Sequence, residues 1–88
     1  MAEPVDIGAG VSISYTVDST GKVVGLVEEH EAPGGGRCTG NVFFRGRIET
    51  THPTWVVEQE EPLTLSPSIL CRTCGHHGYI RNGRWVSA

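Results

Sequence analysis

The stretch that decides the fold is CRTCGHHGYIRNGRWV, residues 71–86. Its first half sets Cys71 and Cys74 in a C-x2-C spacing, which can bring both thiolates onto one Zn²⁺ at about 2.3 Å. Gly75 follows at once, and glycine lets the backbone curl so that its N–H groups point at the sulfurs without a Cβ clash. This spacing predicts a structural zinc site.

The second half of the stretch, residues 78–86, has the pattern of a β-hairpin. Asn82 and Gly83 separate two β-prone runs. Both central residues of a two-residue type I′ turn need positive φ, which Asn and Gly tolerate best. The carboxy-terminal half is therefore predicted to resemble a zinc ribbon, with a hairpin directly after the metal-binding turn.

Two further ligands are needed, because a structural zinc site takes four protein ligands in a tetrahedron. Cys38 is the natural third, since the entropy of closing the long segment back to it grows only with the logarithm of its length. The fourth is a histidine, for which we favour His77 over three alternatives. Those alternatives are His30, His52 and His76. The predicted zinc ligands are thus Cys38, Cys71, Cys74 and His77.

Three other interpretations of the cysteines stay open at this point. Cys71 and Cys74 could form a redox pair, although that usually needs a helix amino terminus to lower the thiol pKa. They could pack as small buried side chains without a metal. Cys38 could also be a spectator, in which case two histidines would complete the site.

Upstream of the decisive stretch, period-two alternation predicts more strands. Residues 11–17 and 22–29 are β-prone and flank turn residues ending at Gly21, which indicates an amino-terminal hairpin. Residues 42–49 and 54–58 are two further predicted strands, and Pro67 predicts a bend before the cysteine pair.

Length and composition point to one small all-β domain held together by zinc. The chain has 88 residues, is 38% hydrophobic and contains 12 Gly and 5 Pro, which favours turns and short antiparallel hairpins over helices. A domain of this size has a thin core, and zinc binding can contribute on the order of 10 kcal/mol to its folding. We divide the single domain, residues 1–88, into an amino-terminal hairpin region (1–32), a Gly-rich loop (33–41) and a zinc-binding β region (42–88).

The carboxy-terminal third also resembles an uncharacterised bacterial and phage family, some members of which are encoded beside ubiquitin-like conjugation genes. The matching signature is LSPSI at residues 65–69, then a cysteine, a histidine three residues on, and IRNG at residues 80–83. The resemblance implies that Cys74 and His77 are metal ligands. Family members usually carry a C-x-C-G stretch upstream, where this chain has the single Cys38.

Three classes of function were weighed. No H-E-x-x-H or deaminase-type metal motif is present, so a metal-dependent hydrolase or nuclease is the least favoured, no catalytic residue is assigned and the chain is predicted not to be an enzyme. Nucleic-acid binding would use Arg72, Arg81 and Arg84, but the net charge of −3 counts against it. The leading prediction is a structural or protein-interaction module, of which a phage virion component is one form, whose exposed strand edges join a partner sheet.

Partners and location follow from the same features. The chain is too short to enclose a large pocket beside its core, so a protein partner is expected and a small-molecule substrate is not. The sequence has no apolar run of about 20 residues and no apolar stretch at its amino terminus, so no membrane association is expected. Three cysteines are an odd number, which argues against a disulfide framework and for a cytoplasmic location, or a virion.

Overall fold

A computed structural model describes residues 3–88, and within that range the chain forms nine strands and no helix. The strands are β1 (Val5–Gly8), β2 (Val11–Val17), β3 (Val23–Glu31), β4 (Arg37–Phe44), β5 (Thr54–Gln59), β6 (Thr64–Ser66), β7 (Ile69–Leu70), β8 (His77–Arg81) and β9 (Arg84–Ser87). The predicted all-β class is confirmed. Residues 1 and 2 of the predicted hairpin region lie outside the described residues. Among the described residues, no helix is long and apolar enough to cross a membrane.

The larger sheet contains β1 to β6 in chain order. Its neighbours pair antiparallel except β4 and β5, which run parallel and pair only at Phe43 with Thr54 and Phe44 with Trp55. The predicted hairpin of residues 11–17 and 22–29 is present as β2 and β3. Because β5 pairs with the end of β4 alone, the earlier part of β4 has β3 on one side and no strand on the other within residues 3–88.

The glycine-rich segment is shorter than the predicted loop of residues 33–41. It forms a tight turn in which the N–H of Ala32 donates to the carbonyl of Gly36 at 2.9 Å, and β4 begins immediately afterwards. The strand predicted at 42–49 therefore starts earlier and ends at Phe44, before a turn at Gly46, whose φ is +80°. The antiparallel register makes His30 and Cys38 direct cross-strand partners.

The smaller sheet contains β7, β8 and β9 in that order. Its hairpin turns at Asn82 and Gly83, whose φ angles are +49° and +74°, as the type I′ prediction requires. Gly78 is needed where β8 crosses Trp85, because a Cβ there would lie 2.5 Å from two ring carbons of that indole.

The core lies where the inward faces of the two sheets meet. Its residues alternate along each strand, as expected when one face is buried and the other solvated. The buried cluster comprises Ile7, Val11, Ile13, Leu26, Val42, Phe44, Leu63, Leu65, Ile69, Ile80 and Trp85. The inward face also carries two buried polar side chains, Glu28 and His30, each 2% exposed. Such groups are kept inside only when they are paired, so they mark a site.

The first prediction concerns the carboxy-terminal turn. Gly83→Val puts a β-branched residue at positive φ, and its Cβ would also lie 3.2 Å from that of Pro62. We expect the free energy of unfolding to fall by about 1–3 kcal/mol, measured by urea denaturation. Gly83→Asn is the matched control, because Asn tolerates positive φ, and it should lose less. Equal midpoints for wild type and Gly83→Val would contradict the turn assignment.

Candidate functional site

Three cysteines and one histidine meet at one end of the interface between the sheets. The ligand atoms of His30, Cys38, Cys71 and Cys74 all lie within 4.8 Å of one another, and His30 Nε2 is 3.1 Å from Cys74 Sγ. Atoms bound tetrahedrally to a metal at 2.0–2.3 Å are about 3.3–3.8 Å apart. The four ligand atoms would therefore need to move only slightly closer together to bind one cation. The donor set of three sulfurs and one imidazole is also one that zinc favours.

Two turns, one from each sheet, build this cluster. The β3–β4 hairpin brings His30 and Cys38 side by side across its ladder. The C-x2-C turn carries Cys71 and Cys74, and the N–H of Gly75 donates to the Cys71 carbonyl at 2.8 Å. Gly75 has φ +79°, so the predicted need for glycine at this curl is confirmed.

Glu28 fixes the orientation of the His30 ring. Its Oε2 lies 2.6 Å from His30 Nδ1, and both side chains are 3% exposed. This contact directs the other ring nitrogen, Nε2, at the cysteines, an arrangement common around metal-ligating histidines. Without a cation, burial opposes protonation of His30, but the hydrogen bonds to Glu28 and Cys74 outweigh it and raise its pKa to about 9.

The three thiols are electrostatically unequal. A hydrogen bond from the backbone N–H of Cys74 lowers the pKa of Cys71 to about 7 despite its partial burial. Burial, reinforced by the neighbouring sulfurs, raises the pKa of Cys38 to about 11. The cluster therefore holds protons that a cation would displace on binding, since thiolates and not thiols are the metal ligands.

His76 lies behind the cluster and connects it to the core. Its ring stacks on His30 at a centroid distance of 4.0 Å and on Trp85 at 4.8 Å. Burial lowers the pKa of His76, which favours the neutral ring in this stack. His52 lies elsewhere, near Phe43, with its ring centroid 5.8 Å away.

His77 points away from the metal-type cluster and meets a serine. Its Nε2 is 2.8 Å from the Oγ of Ser68, the residue that immediately precedes β7. His77 is exposed and Ser68 is half-buried, so a substrate can reach the pair. A serine hydroxyl within hydrogen-bond reach of an imidazole nitrogen is the arrangement of a nucleophile and its general base.

Trp55 holds the backbone of Ser68. Its indole N–H donates to the Ser68 carbonyl at 3.2 Å, which links β5 of the larger sheet to the start of β7. On the other side of Ser68, Ile69 pairs with Gly78 and Leu70 with His77 in the β7–β8 ladder. The serine and histidine are thus held by short backbone links to both sheets.

The three arginines considered for nucleic-acid binding lie in two places. Arg72 is exposed within the C-x2-C turn. Arg81 and Arg84 are cross-strand partners near the β8–β9 turn, and the Arg81 guanidinium stacks over the Tyr79 ring at 4.5 Å. Nucleic-acid binding by these arginines stays a prediction.

This all-β domain contains both a serine–histidine pair and a Cys3His cluster. The pair has the chemical groups of a serine hydrolase, and the cluster those of a metal site. A family model described as "bacterial ubiquitination-like system serine protease (BubE)" matches residues 18–88. The chain belongs to this family, which agrees with the resemblance to a bacterial family encoded beside ubiquitin-like conjugation genes. Comparisons with curated proteins and with solved structures gave no match.

Family membership corrects the functional prediction from sequence. A non-enzymatic structural or interaction module, including a virion component, is contradicted, because the family model describes a serine protease. Ser68 belongs to no recognisable catalytic motif, and the spacing of Cys74 and His77 is also that of two zinc ligands, so the sequence pattern favours a metal site over a serine–histidine pair. Cys38, Cys71 and Cys74 are brought together as expected, but the histidine beside them is His30.

The second prediction concerns Glu28. Replacing Glu28 by Leu leaves the buried His30 Nδ1 without its partner and should lower the free energy of unfolding by about 1–3 kcal/mol, measured by urea denaturation. Glu28→Gln keeps an acceptor and should lose less. The matched control is Glu29→Leu on the same strand, whose ion pair with Arg37 is about two-fifths exposed and weak. Equal losses for Glu28→Leu and Glu29→Leu would contradict the orienting role.

Proposed function

We propose that this protein is a serine peptidase in which Ser68 is the nucleophile and His77 the general base. The observation that carries the proposal is the 2.8 Å separation of Ser68 Oγ and His77 Nε2 on an accessible surface. Membership of a serine protease family supports it independently. The family description also supports a polypeptide substrate from a ubiquitination-like system.

The chemistry follows from the pair. Ser68 Oγ attacks the carbonyl carbon of the scissile peptide bond while His77 Nε2 takes the hydroxyl proton. The same nitrogen then gives that proton to the departing amine, and the C–N bond breaks to leave an acyl ester on Ser68. Water, deprotonated by His77, hydrolyses the ester and frees the carboxylate product.

Ser68 and His77 act in this proposal as a dyad. Within residues 3–88 no carboxylate hydrogen-bonds to the His77 ring, whose polar contact is Ser68. The backbone does the orienting instead: His77 is fixed in the β8 ladder, and its carbonyl accepts the N–H of Ala88 at 3.1 Å. Dyads that lack the carboxylate of the full triad occur among hydrolases on unrelated folds.

We also propose that the Cys3His cluster binds zinc in a purely structural role. Its ligands would be His30, Cys38, Cys71 and Cys74, with His77 left free for the dyad. Four protein donors would fill a tetrahedral zinc and leave no position for water. Such a zinc would fix the shape of the domain, and the peptide-bond chemistry would stay with the serine.

The proposed substrate makes a protein the partner of this chain. Clustered free cysteines arranged as metal ligands persist best in a reducing compartment, which supports the cytoplasm as the place of action.

The third prediction tests the nucleophile. A fluorophosphonate probe, which reacts with activated serines, should label the purified protein on Ser68, as located by peptide mass spectrometry. Ser68→Ala and His77→Gln should each reduce labelling by roughly 10³-fold or more, because the hydroxyl or its base is gone. Ser66→Ala, in the neighbouring strand, is the control and should label as wild type. Labelling elsewhere, or none in folded protein, would sink the dyad.

The fourth prediction tests the metal and its fourth ligand. Freshly purified, reduced protein should contain about one zinc per chain, with a shell of three sulfurs and one nitrogen by X-ray absorption. His30→Ala should lose zinc and have a lower melting temperature. His77→Ala should retain zinc and the wild-type melting temperature. Zinc loss in His77→Ala with retention in His30→Ala would instead favour the ligand set predicted from the sequence.

A further inference from the structure

We propose that the substrate enters as an extended polypeptide segment between β4 and β7 and pairs with their open backbone edges. This inference rests on the peptidase function proposed above. A cleft of about 150 Å³ is lined by Thr39–Val42, which belong to β4, and by Ile69–Thr73, which begin with β7. Trp55, Glu28 and His30 also line the cleft.

The β4 side presents unused backbone groups. The N–H of Arg45 donates to the carbonyl of Trp55 at 2.8 Å, so the backbone groups of Arg45 face β5. Alternate residues of an extended strand direct their backbone groups to the same side. Asn41 and Thr39 therefore aim their N–H and C=O groups the same way, beyond the short β4–β5 pairing and into the cleft.

The β7 side leads directly to the nucleophile. β7 has β8 as its one strand partner among residues 3–88, so its other edge is free on the side of the cleft. Ser68 immediately precedes this edge, and the Trp55 indole that lines the cleft donates to the Ser68 carbonyl. Ser68 and His77 do not themselves line the cleft, but Ser68 adjoins Ile69, which does. A chain that pairs with β7 would therefore run along the backbone that leads into Ser68.

Gly40 has no structural reason to be glycine. A Cβ built there has no heavy atom within 4 Å, and its φ lies outside the left-handed region. In contrast, a Cβ at Gly25 on the adjacent strand would run into the Val42 carbonyl. Glycine inside a strand weakens it, and one explanation is the close approach of another backbone. Gly40 lines the cleft, which is where a substrate backbone would approach.

The cleft restricts the class of substrate. Its volume of about 150 Å³ suits a stretch of main chain and is too small for a folded element. Backbone pairing on an open edge gives affinity without demanding particular side chains. The occupant is thus an unfolded stretch, such as a chain terminus or a linker, carrying a small residue opposite Gly40.

The experiment compares Gly40→Leu with wild type in two assays. One is fluorophosphonate labelling of Ser68, which needs the dyad alone, and the other is cleavage of a proteome-derived peptide library read by mass spectrometry. Gly40→Leu should cut library peptides at least tenfold more slowly while its Ser68 is labelled at close to the wild-type rate. Gly40→Ala should show an intermediate loss of cleavage rate, and it replaces Gly40→Leu as the test variant if the leucine variant does not fold. Ser14→Leu adds the same side chain to β2, away from the cleft, and should cleave as wild type.

The outcomes separate this proposal from the one it rests on. If wild-type Ser68 is not labelled, the peptidase function fails. If Ser68 is labelled but the wild-type protein cleaves no library peptide, the cleft is not the substrate site. The same conclusion follows if Gly40→Leu and Gly40→Ala cleave library peptides at the wild-type rate. The peptides cleaved by the wild-type protein should also show a preference for a small residue at one fixed position from the scissile bond. Gly40→Ala should make this preference for a small residue stronger.

Discussion

The candidate site depends on one contact, between His30 Nε2 of the larger sheet and Cys74 Sγ of the turn between β7 and β8, 3.1 Å apart in space and 44 residues apart in sequence. The sheets also share an apolar layer and hydrogen bonds from Gly83 N–H to the Leu63 carbonyl and from the Trp55 indole to the Ser68 carbonyl. Even so, a domain of 88 residues buries little surface per residue. The buried Glu28 carboxylate is tolerable only because His30 lies against it. A cation between the sulfurs would turn this contact into a cross-link that fixes the two sheets relative to each other.

The contact between Ser68 and His77, the proposed dyad, lies next to that junction. β7 is two residues long, with Ser68 immediately before it and Cys71 immediately after it. The N–H of Cys71 donates to the His76 carbonyl at 2.8 Å, so the turn that carries the cysteines also closes β7 onto β8. This turn, together with the pairing of Leu70 with His77, therefore helps to bring Ser68 to His77. The cluster would thereby support the nucleophile without touching it, much as outer groups position ligands at metal sites.

Patterns within short stretches of sequence predicted the strands and turns that neighbouring residues determine. Period-two alternation identified β2 and β3, the Asn82–Gly83 pair identified the last hairpin, and Gly75 identified the metal-type turn. On sequence grounds His30 is an alternative to the favoured His77, because the predicted loop of residues 33–41 hides its cross-strand pairing with Cys38. Centring a hairpin on Gly34 would have made His30 and Cys38 cross-strand partners.

Ser68 was harder to recognise, because it belongs to no catalytic motif and its partner lies nine residues away across a hairpin. Strand parity carries the missing signal: the buried Ile80 puts Gly78 on the inner face of β8 and His77 on the outer face. His77 therefore faces away from the sulfurs, towards the chain that leads into β7. The same parity explains how neighbouring histidines do different work, with His76 stacked on His30 and His77 on the surface.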